Sequence, residues 1–221
     1  MKELIIAGAS NPASLKLVHD INARSATWNL LGVVDDDPKK WGKDFFGCNV
    51  LGPIAMLEEP RYRETYAVCF IYGSSIVTRL KVIDRMTSMG VRFTTLVHPS
   101  VSTEQVEIGE DCVIKEGCVL NYGARIGNHC IVGFGTLIGH ESVLEDAVYC
   151  AQRVTIPGRV RVKRGATLGV GSVINGDITI GECAMVGLGA VVFRSVPDRS
   201  TVVGNPAQMV IRDSVGSRHP L

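Results

Sequence analysis

Residues 108–144 read IGEDCVIKEGCVLNYGARIGNHCIVGFGTLIGHESVL, and this stretch decides the fold. An aliphatic residue, or once a cysteine, returns at every sixth position from Ile108 to Val192, and a glycine that can turn a corner often follows it. A period of six fits neither an amphipathic helix nor an alternating strand, but it is typical of a parallel β-helix. The fifteen hexads between Ile108 and Pro197 therefore predict five three-sided coils with the aliphatic position inside.

The chain before about residue 96 has a different pattern, in which apolar strands alternate with helices. We expect strands at 2–7, 30–34, 66–72 and 91–97, and helices at 13–23 and 76–89. This alternation indicates a parallel sheet with βαβ connections. The predicted fold class is α/β plus all-β, with a small Rossmann-like domain over residues 1–95 and a β-helix domain with a C-terminal tail over residues 96–221.

Composition limits the classes of function. The formal charge is only +1, from 23 basic and 22 acidic residues, so nothing indicates nucleic-acid binding. No apolar run approaches the roughly 20 residues of a membrane span, and the N-terminus lacks signal-peptide architecture, so we expect a cytoplasmic location. The seven cysteines include Cys112, Cys118, Cys130 and Cys150 at inward repeat positions, and we interpret these as small buried hydrophobes.

His140 and Glu141 occupy the third and fourth positions of one hexad, which should face outward. Histidine exchanges protons near neutral pH, and an adjacent carboxylate can fix its tautomer and strengthen it as a base. From these residues alone, the more common interpretation of such an outward pair is a solvated surface without a catalytic role. His129, the other histidine within the repeat, is expected at the surface.

Five motifs together resemble one family: IIAGAS, GVVDDDP, LVHPSV, IGHE and VVGNPA. This combination is similar to the hexapeptide-repeat acyltransferases that modify sugars on oxygen or nitrogen, of the sialic acid and bacillosamine type. The resemblance covers nearly the whole chain. It implies a left-handed β-helix, acetyl-CoA as the acyl donor, no metal, and a homotrimer with CoA between adjacent prisms.

The resemblance also assigns roles to residues. His140 would be the general base for the acceptor, and Glu141 would raise its basicity. Gly158 would offer a backbone N–H to the oxyanion. The implied cofactor contacts are Tyr149, Val170 and Leu188. Apolar residues at Phe134, Leu137 and Val143 favour threefold packing of the prisms.

The strand ends of the first domain are the expected acceptor site, since open α/β sheets bind ligands along that edge. Only Gly8 of a GxGxxG pattern is present, so the sequence does not predict NAD binding. The nucleotide of a sugar substrate is expected to contact Ser10, Asn11, Asp35, Asp36 and Gly73.

The leading hypothesis is N-acetylation of a nucleotide-linked amino sugar, and O-acetylation of sialic acid or another sugar hydroxyl is the nearest alternative. A metal hydrase on the same β-helix would need three converging histidines, whereas the repeat contains only His129 and His140. A non-catalytic scaffold on the same fold is the remaining alternative.

Overall fold

The computed structural model describes residues 1–71 and 76–210, which form an α/β sheet followed by a parallel β-helix. The first part contains β1 (Lys2–Ala7), α1 (Ala13–Arg24), β2 (Trp28–Val34), β3 (Asp44–Phe45), β4 (Cys48–Gly52), β5 (Tyr66–Cys69), α2 (Ile76–Ser88) and β6 (Arg92–Phe93). Short 3₁₀ helices lie at Pro38–Lys40, Ile54–Glu58 and Pro60–Tyr62. The sheet order is β3-β4-β2-β1-β5-β6, parallel throughout except for the β3–β4 hairpin.

The central strand β1 is buried on both faces, because its side chains alternate between the two helices. Leu4 and Ile6 belong to the core that contains Leu17 of α1. Ile5 belongs to the core that contains Ile83 of α2. Parallel sheets need such cover on both faces, and this explains the uninterrupted apolar run in β1.

The expected strand at 91–97 is wrong as a single element. The segment contributes β6 to the α/β sheet, where it pairs with β5, and then β7 (Leu96–Val97) to the β-helix, where it pairs with the strand at Val113–Ile114. Both pieces are extended and partly apolar, so periodicity cannot show that the chain changes sheets between them. The pair β3 and β4 was also not expected, and part of the strand predicted at 66–72 lies outside the described residues.

The β-helix is built from two-residue strands at a spacing of about six residues. They are β8 (Glu107–Ile108), β9 (Val113–Ile114), β10 (Val119–Leu120), β11 (Arg125–Ile126), β12 (Ile131–Val132), β13 (Leu137–Ile138), β14 (Val143–Leu144), β15 (Tyr149–Cys150), β16 (Thr155–Ile156), β17 (Arg161–Val162), β18 (Thr167–Leu168), β19 (Val173–Ile174), β20 (Thr179–Ile180), β21 (Met185–Val186) and β22 (Val191–Val192). The segments β23 (Thr201–Val203) and β24 (Gln208–Met209) follow.

These strands form the three faces of a prism. The covered face contains β7, β9, β12, β15, β18, β21, β23 and β24, with the α/β sheet packed on its first strands. The charged face contains β8, β11, β14, β17 and β20, and the apolar face contains β10, β13, β16, β19 and β22. Each strand pairs in parallel with the strand one coil later, as Leu120 does with Ile138, so the predicted coils are confirmed.

The glycines that follow the aliphatic positions have a different purpose from the expected one. Gly139 does not adopt a left-handed conformation, but a Cβ there would lie 2.4 Å from the carbonyl carbon of Pro157 in the next coil. The left-handed corner residue comes two positions later and is often not glycine, as at Glu141 with φ 56°. Glycine at the second hexad position is therefore required by the close approach of stacked coils.

The inward cysteines are buried, as the repeat predicts: Cys112, Cys118, Cys130 and Cys150 all lie in the prism core. Burial raises the pKa of the Cys118 thiol to about 11. A thiol with so high a pKa stays protonated near neutral pH, so this residue acts as a small apolar filler.

A buried polar network joins the α/β sheet to the prism. Arg79 of α2 is 3% exposed and donates to the carbonyl oxygens of Ala147, at 2.7 Å, and His129. The carboxylate of Asp111 accepts the Cys69 N–H at 2.7 Å and lies 2.8 Å from Nδ1 of His129. Burial raises the pKa of Asp111, although the contacts with His129 and Cys69 oppose that shift. The expectation of a surface His129 is therefore wrong, because α2 covers this corner.

We expect Arg79→Met to lower the free energy of unfolding by about 3–5 kcal/mol, because it removes the cation from a buried network and leaves Asp111 in place. Denaturant unfolding measures the change. The matched control is Lys81→Met on the exposed side of α2, for which little change is expected. Equal losses in the two variants would contradict a stabilising role for the network.

Candidate active site

His140 lies at a corner of the prism, between β13 on the apolar face and β14 on the charged face. Neighbouring coils hold this corner from both sides. The N–H of Glu141 donates to the Tyr122 carbonyl at 3.1 Å, and the N–H of Arg159 donates to the His140 carbonyl at 2.9 Å. The backbone that carries the imidazole is therefore fixed by the stacking of coils.

The His140 and Glu141 side chains are on the outer surface, as the repeat predicts, with 47% and 64% of their areas exposed. Nδ1 of His140 lies 3.3 Å from Oε2 of Glu141, so the two adjacent side chains do meet. With Nδ1 directed to a carboxylate, the lone pair of the neutral ring is at Nε2.

Gly158 lies one coil above His140, and the imidazole rests against it. A Cβ at residue 158 would lie 2.2 Å from Nε2 of His140, so only glycine leaves room for the ring as it is placed. Within the described part of the chain, the Gly158 N–H donates to no protein acceptor. A proton acceptor and an available N–H donor therefore lie side by side at this corner.

An ion pair lies next to the imidazole on the following coils. Arg159 donates to Asp177 through Nε at 2.5 Å and through Nη2 at 3.0 Å. The hydrogen bond from Arg159 holds the pKa of Asp177 below its usual value, and the nearby His140 acts in the same direction. Both side chains are exposed, so the pair keeps local charge balanced and contributes little stability.

The residues implied as cofactor contacts are not all together. Val170 and Leu188 are exposed and share the corner between the covered and apolar faces, where the Gly189 N–H donates to the Val170 carbonyl at 2.8 Å. Tyr149 lies on the covered face instead, half-buried against the core of the α/β sheet. Burial raises the pKa of its hydroxyl.

The implied nucleotide contacts lie at the carboxyl edge of the α/β sheet, but the protein uses most of them itself. Ser10 is exposed, and the side-chain oxygen of Asn11 accepts the Ala13 N–H at 2.8 Å, at the start of α1. Asp36 accepts the Ile54 N–H and pairs with Arg85. Gly73 lies outside the described residues.

Asp35 has the most complete set of internal partners among these residues. Its carboxylate accepts the Ala9 N–H and the Lys40 ammonium, both at 2.8 Å, and the Asp37 N–H at 2.9 Å. Burial alone would raise the pKa of Asp35, but the hydrogen bonds from Lys40, Asp37 and Ala9 outweigh it and lower the pKa. The carboxylate thus joins the loop after β2 to the turn after β1.

Residues 1–71 and 76–210 include no group of three or more side chains arranged to hold a metal ion. In the same ranges, every helix is too short or too polar to cross a membrane.

Sequence comparisons identify the repeat. The pattern of the bacterial transferase hexapeptide family, with six repeats, matches residues 105–140. The chain is 33% identical over 115 residues to serine acetyltransferase from Bacillus subtilis, which covers 48% of this chain and 53% of that protein. It is 28% identical over 191 residues to bifunctional protein GlmU from Nitratidesulfovibrio vulgaris, which covers 73% of this chain and 41% of that protein. The chain thus spans about half the length of these curated relatives.

Structural comparison extends over nearly the whole chain. PerB from Caulobacter crescentus, solved with CoA and GDP-perosamine, is 27% identical, with a TM-score of 0.83 over 95% of this chain and 98% of that chain. Residues 105–140 thus contain the hexapeptide repeat of that family, and the structure winds such repeats into a three-sided prism. Its fold is the left-handed β-helix type found in sugar N-acetyltransferases.

Proposed function

We propose that this protein is an acetyl-CoA-dependent acetyltransferase that acetylates the amino group of a nucleotide-linked amino sugar. The observation that carries the proposal is the His140 imidazole resting against Gly158, beside an N–H that donates to no acceptor among the described residues. The likeness to PerB, whose structure contains CoA and GDP-perosamine, supports both the donor and the class of acceptor.

The chemistry needs few groups, because a thioester is already activated. Nε2 of His140 takes a proton as the acceptor amine attacks the acetyl carbonyl, and a new C–N bond forms. The Gly158 N–H donates to the developing oxyanion. The C–S bond then breaks, and the proton held by His140 passes to the departing sulfur to give free CoA. Glu141 holds the ring in the required tautomer through Nδ1.

We also propose that residues 1–95 bind the nucleotide and that residues 96–221 carry the catalytic base and the CoA site. The first segment is a Rossmann-like domain that binds the nucleotide at the carboxyl edge of its parallel sheet, near Ser10, Asn11 and Gly73. Because Asp35 and Asp36 already bind groups of the protein, they act there mainly by shaping the loop after β2. Residues from 96 onward supply the base and the CoA contacts Val170 and Leu188. Tyr149, which is half-buried against the core of the α/β sheet, packs that sheet on the prism.

A homotrimer would complete the site. The His140 corner and the Val170 corner border opposite edges of the apolar face, so one chain alone keeps base and cofactor contacts apart. The apolar face exposes large side chains at Val119, Leu137 and Val173, with Tyr122, Phe134 and Phe193 at its corners. A second copy packed on this face would bring the two kinds of corner together.

We expect Leu137→Asp to convert the trimer to monomers and to abolish acetyl transfer, because it buries a charge in the interface. Light scattering measures the mass. The matched control is Val143→Asp. The expectation that Val143 favours threefold packing is wrong, because this residue lies on the charged face between Arg125 and Arg161, so the variant should remain trimeric and active. A wild-type protein that is monomeric in solution would contradict this arrangement.

The test of function is thiol release from acetyl-CoA with a panel of UDP-, GDP- and dTDP-linked amino sugars. Release that depends on an amino sugar supports the proposal. If no amino sugar causes thiol release and calorimetry detects no CoA binding, the proposal is wrong and the protein is a non-catalytic scaffold.

A second candidate is transfer to a hydroxyl group. The identity of 33% to a serine acetyltransferase favours it, and the same base can serve an alcohol. Including L-serine and free sialic acid in the panel separates the two, because only the favoured acceptor should release CoA at a rate that rises with its concentration.

A further inference from the structure

The loop after β2 carries an aromatic side chain that lies outside the hydrophobic core. Trp41 is 41% exposed, whereas Trp28, the only other tryptophan of the chain, is buried at 7%. The indole Nε1–H of Trp41 donates to the Asp35 carbonyl at 2.7 Å. The ring is therefore fixed at one edge while much of its surface remains open to solvent.

Hydrogen bonds hold this loop in one conformation. The Lys39 N–H donates to the Asp37 carboxylate at 3.0 Å, and the Gly42 N–H donates to the Val50 carbonyl at 2.8 Å. Asp35, which anchors the indole, is itself bound by the Ala9 N–H of the turn after β1. Because this surface is already ordered, a ligand that stacks on Trp41 would bind with only a small loss of conformational entropy in the loop.

The position of Trp41 matches the edge where a nucleotide is expected. Strands β2 and β1 are parallel neighbours, and both the Gly8 turn and the Asp35–Trp41 loop follow their carboxyl ends. Nucleotides bind open parallel sheets along that edge. The Asp35 and Asp36 carboxylates are occupied by protein donors, whereas the exposed indole is an aromatic group at this edge that remains available to stack on a base.

We propose that the exposed face of Trp41 stacks on the base of the nucleotide that carries the acceptor sugar. This inference rests on the proposed function for the sugar substrate, but it concerns nucleotide binding and needs no acetyl transfer. Stacking on an aromatic ring is tolerant of base identity, so Trp41 sets affinity for the nucleotide while other contacts select the base.

The direct test is titration of the full chain with UDP, GDP and dTDP in the absence of acetyl-CoA. Stacking should change the indole emission of Trp41, and the buried Trp28 should contribute a constant background. In Trp41→Phe, which keeps a stacking ring, calorimetry should show nearly unchanged affinity while the change in emission disappears.

Trp41→Ala removes the stacking ring and should weaken nucleotide binding by about 5- to 150-fold. The matched control is Phe46→Ala. Phe46 is an aromatic residue that is 72% exposed in the β3–β4 turn, at the end of the sheet opposite to the carboxyl edge. This variant should bind nucleotides as the wild type does. In turnover, Trp41→Ala should raise KM for the nucleotide sugar and leave KM for acetyl-CoA unchanged.

The outcomes separate this inference from the proposed function. If Trp41→Ala weakens nucleotide binding but no acceptor is acetylated, the stacking site stands and the transferase assignment falls. If acetyl transfer occurs and Trp41→Ala binds the nucleotide as tightly as the wild type, the stacking site is wrong. A wild-type protein that binds none of the three nucleotides also overturns it.

Discussion

His140→Ala is expected to lower kcat/KM for acetyl transfer by on the order of 10²–10⁴, the usual contribution of a general base. The loss should lie in kcat, because the ring acts on the acceptor proton and not on the CoA contacts at Val170 and Leu188. Thiol release under saturating acetyl-CoA measures it. His140→Asn, whose side chain is closer in size to histidine but has no basic nitrogen, should lose a similar factor of activity. That result would show that the loss comes from the missing base and not from the smaller side chain.

The matched control is His19→Ala, which removes an exposed histidine from α1, far along the chain from the corner. It should retain the full rate. A folded His140→Ala protein with wild-type turnover would remove His140 from the mechanism, and the corner would then be surface decoration.

Gly158→Ala is expected to lower kcat on the order of 10²-fold, because a displacement of about 1 Å at a reacting group costs that much. The added Cβ would lie 2.2 Å from Nε2 of His140, so the imidazole must move away. Gly158 does not have a left-handed φ, so alanine fits the backbone and the free energy of unfolding should change little. Steady-state kinetics and thermal melting measure the two quantities.

The matched control lies one coil further along the same corner. A Cβ at Gly176 would meet nothing closer than the Gly158 carbonyl oxygen at 3.4 Å, so Gly176→Ala should keep its activity. Equal losses in the two variants would indicate that any methyl group at this corner obstructs the substrate. The specific contact between Gly158 and the imidazole would then not explain the effect.

The prism could be predicted because its signal is local and repeated. Every coil places an aliphatic side chain inside, so the requirement for burial repeats every six residues and appears directly in the sequence. The outward direction of His140 and Glu141 follows from the same register, and the structure confirms it.

The sequence predicted other features less well because they depend on partners far along the chain. His129 has the outward fourth hexad position that Glu141 has in its own hexad, yet Arg79, 50 residues earlier, binds its carbonyl oxygen and α2 covers this corner. Asp35 was expected to face a nucleotide, whereas it accepts the Ala9 N–H, 26 residues away. Which donors a carboxylate meets depends on how strands are ordered in the sheet, and local pattern does not record that order.

The amino-acid sequence by itself determined the three-sided coil, its inward side chains and the corner that presents His140, because a period of six and the burial of aliphatic groups set which positions point inward and which lie at corners. Tertiary structure decided which face of the prism the α/β sheet covers, which face remains apolar and exposed, and which polar groups are already paired. Those outcomes depend on contacts between segments far apart in the chain. The interaction free energy of such a contact depends on both segments together, so the local pattern of either one does not predict it.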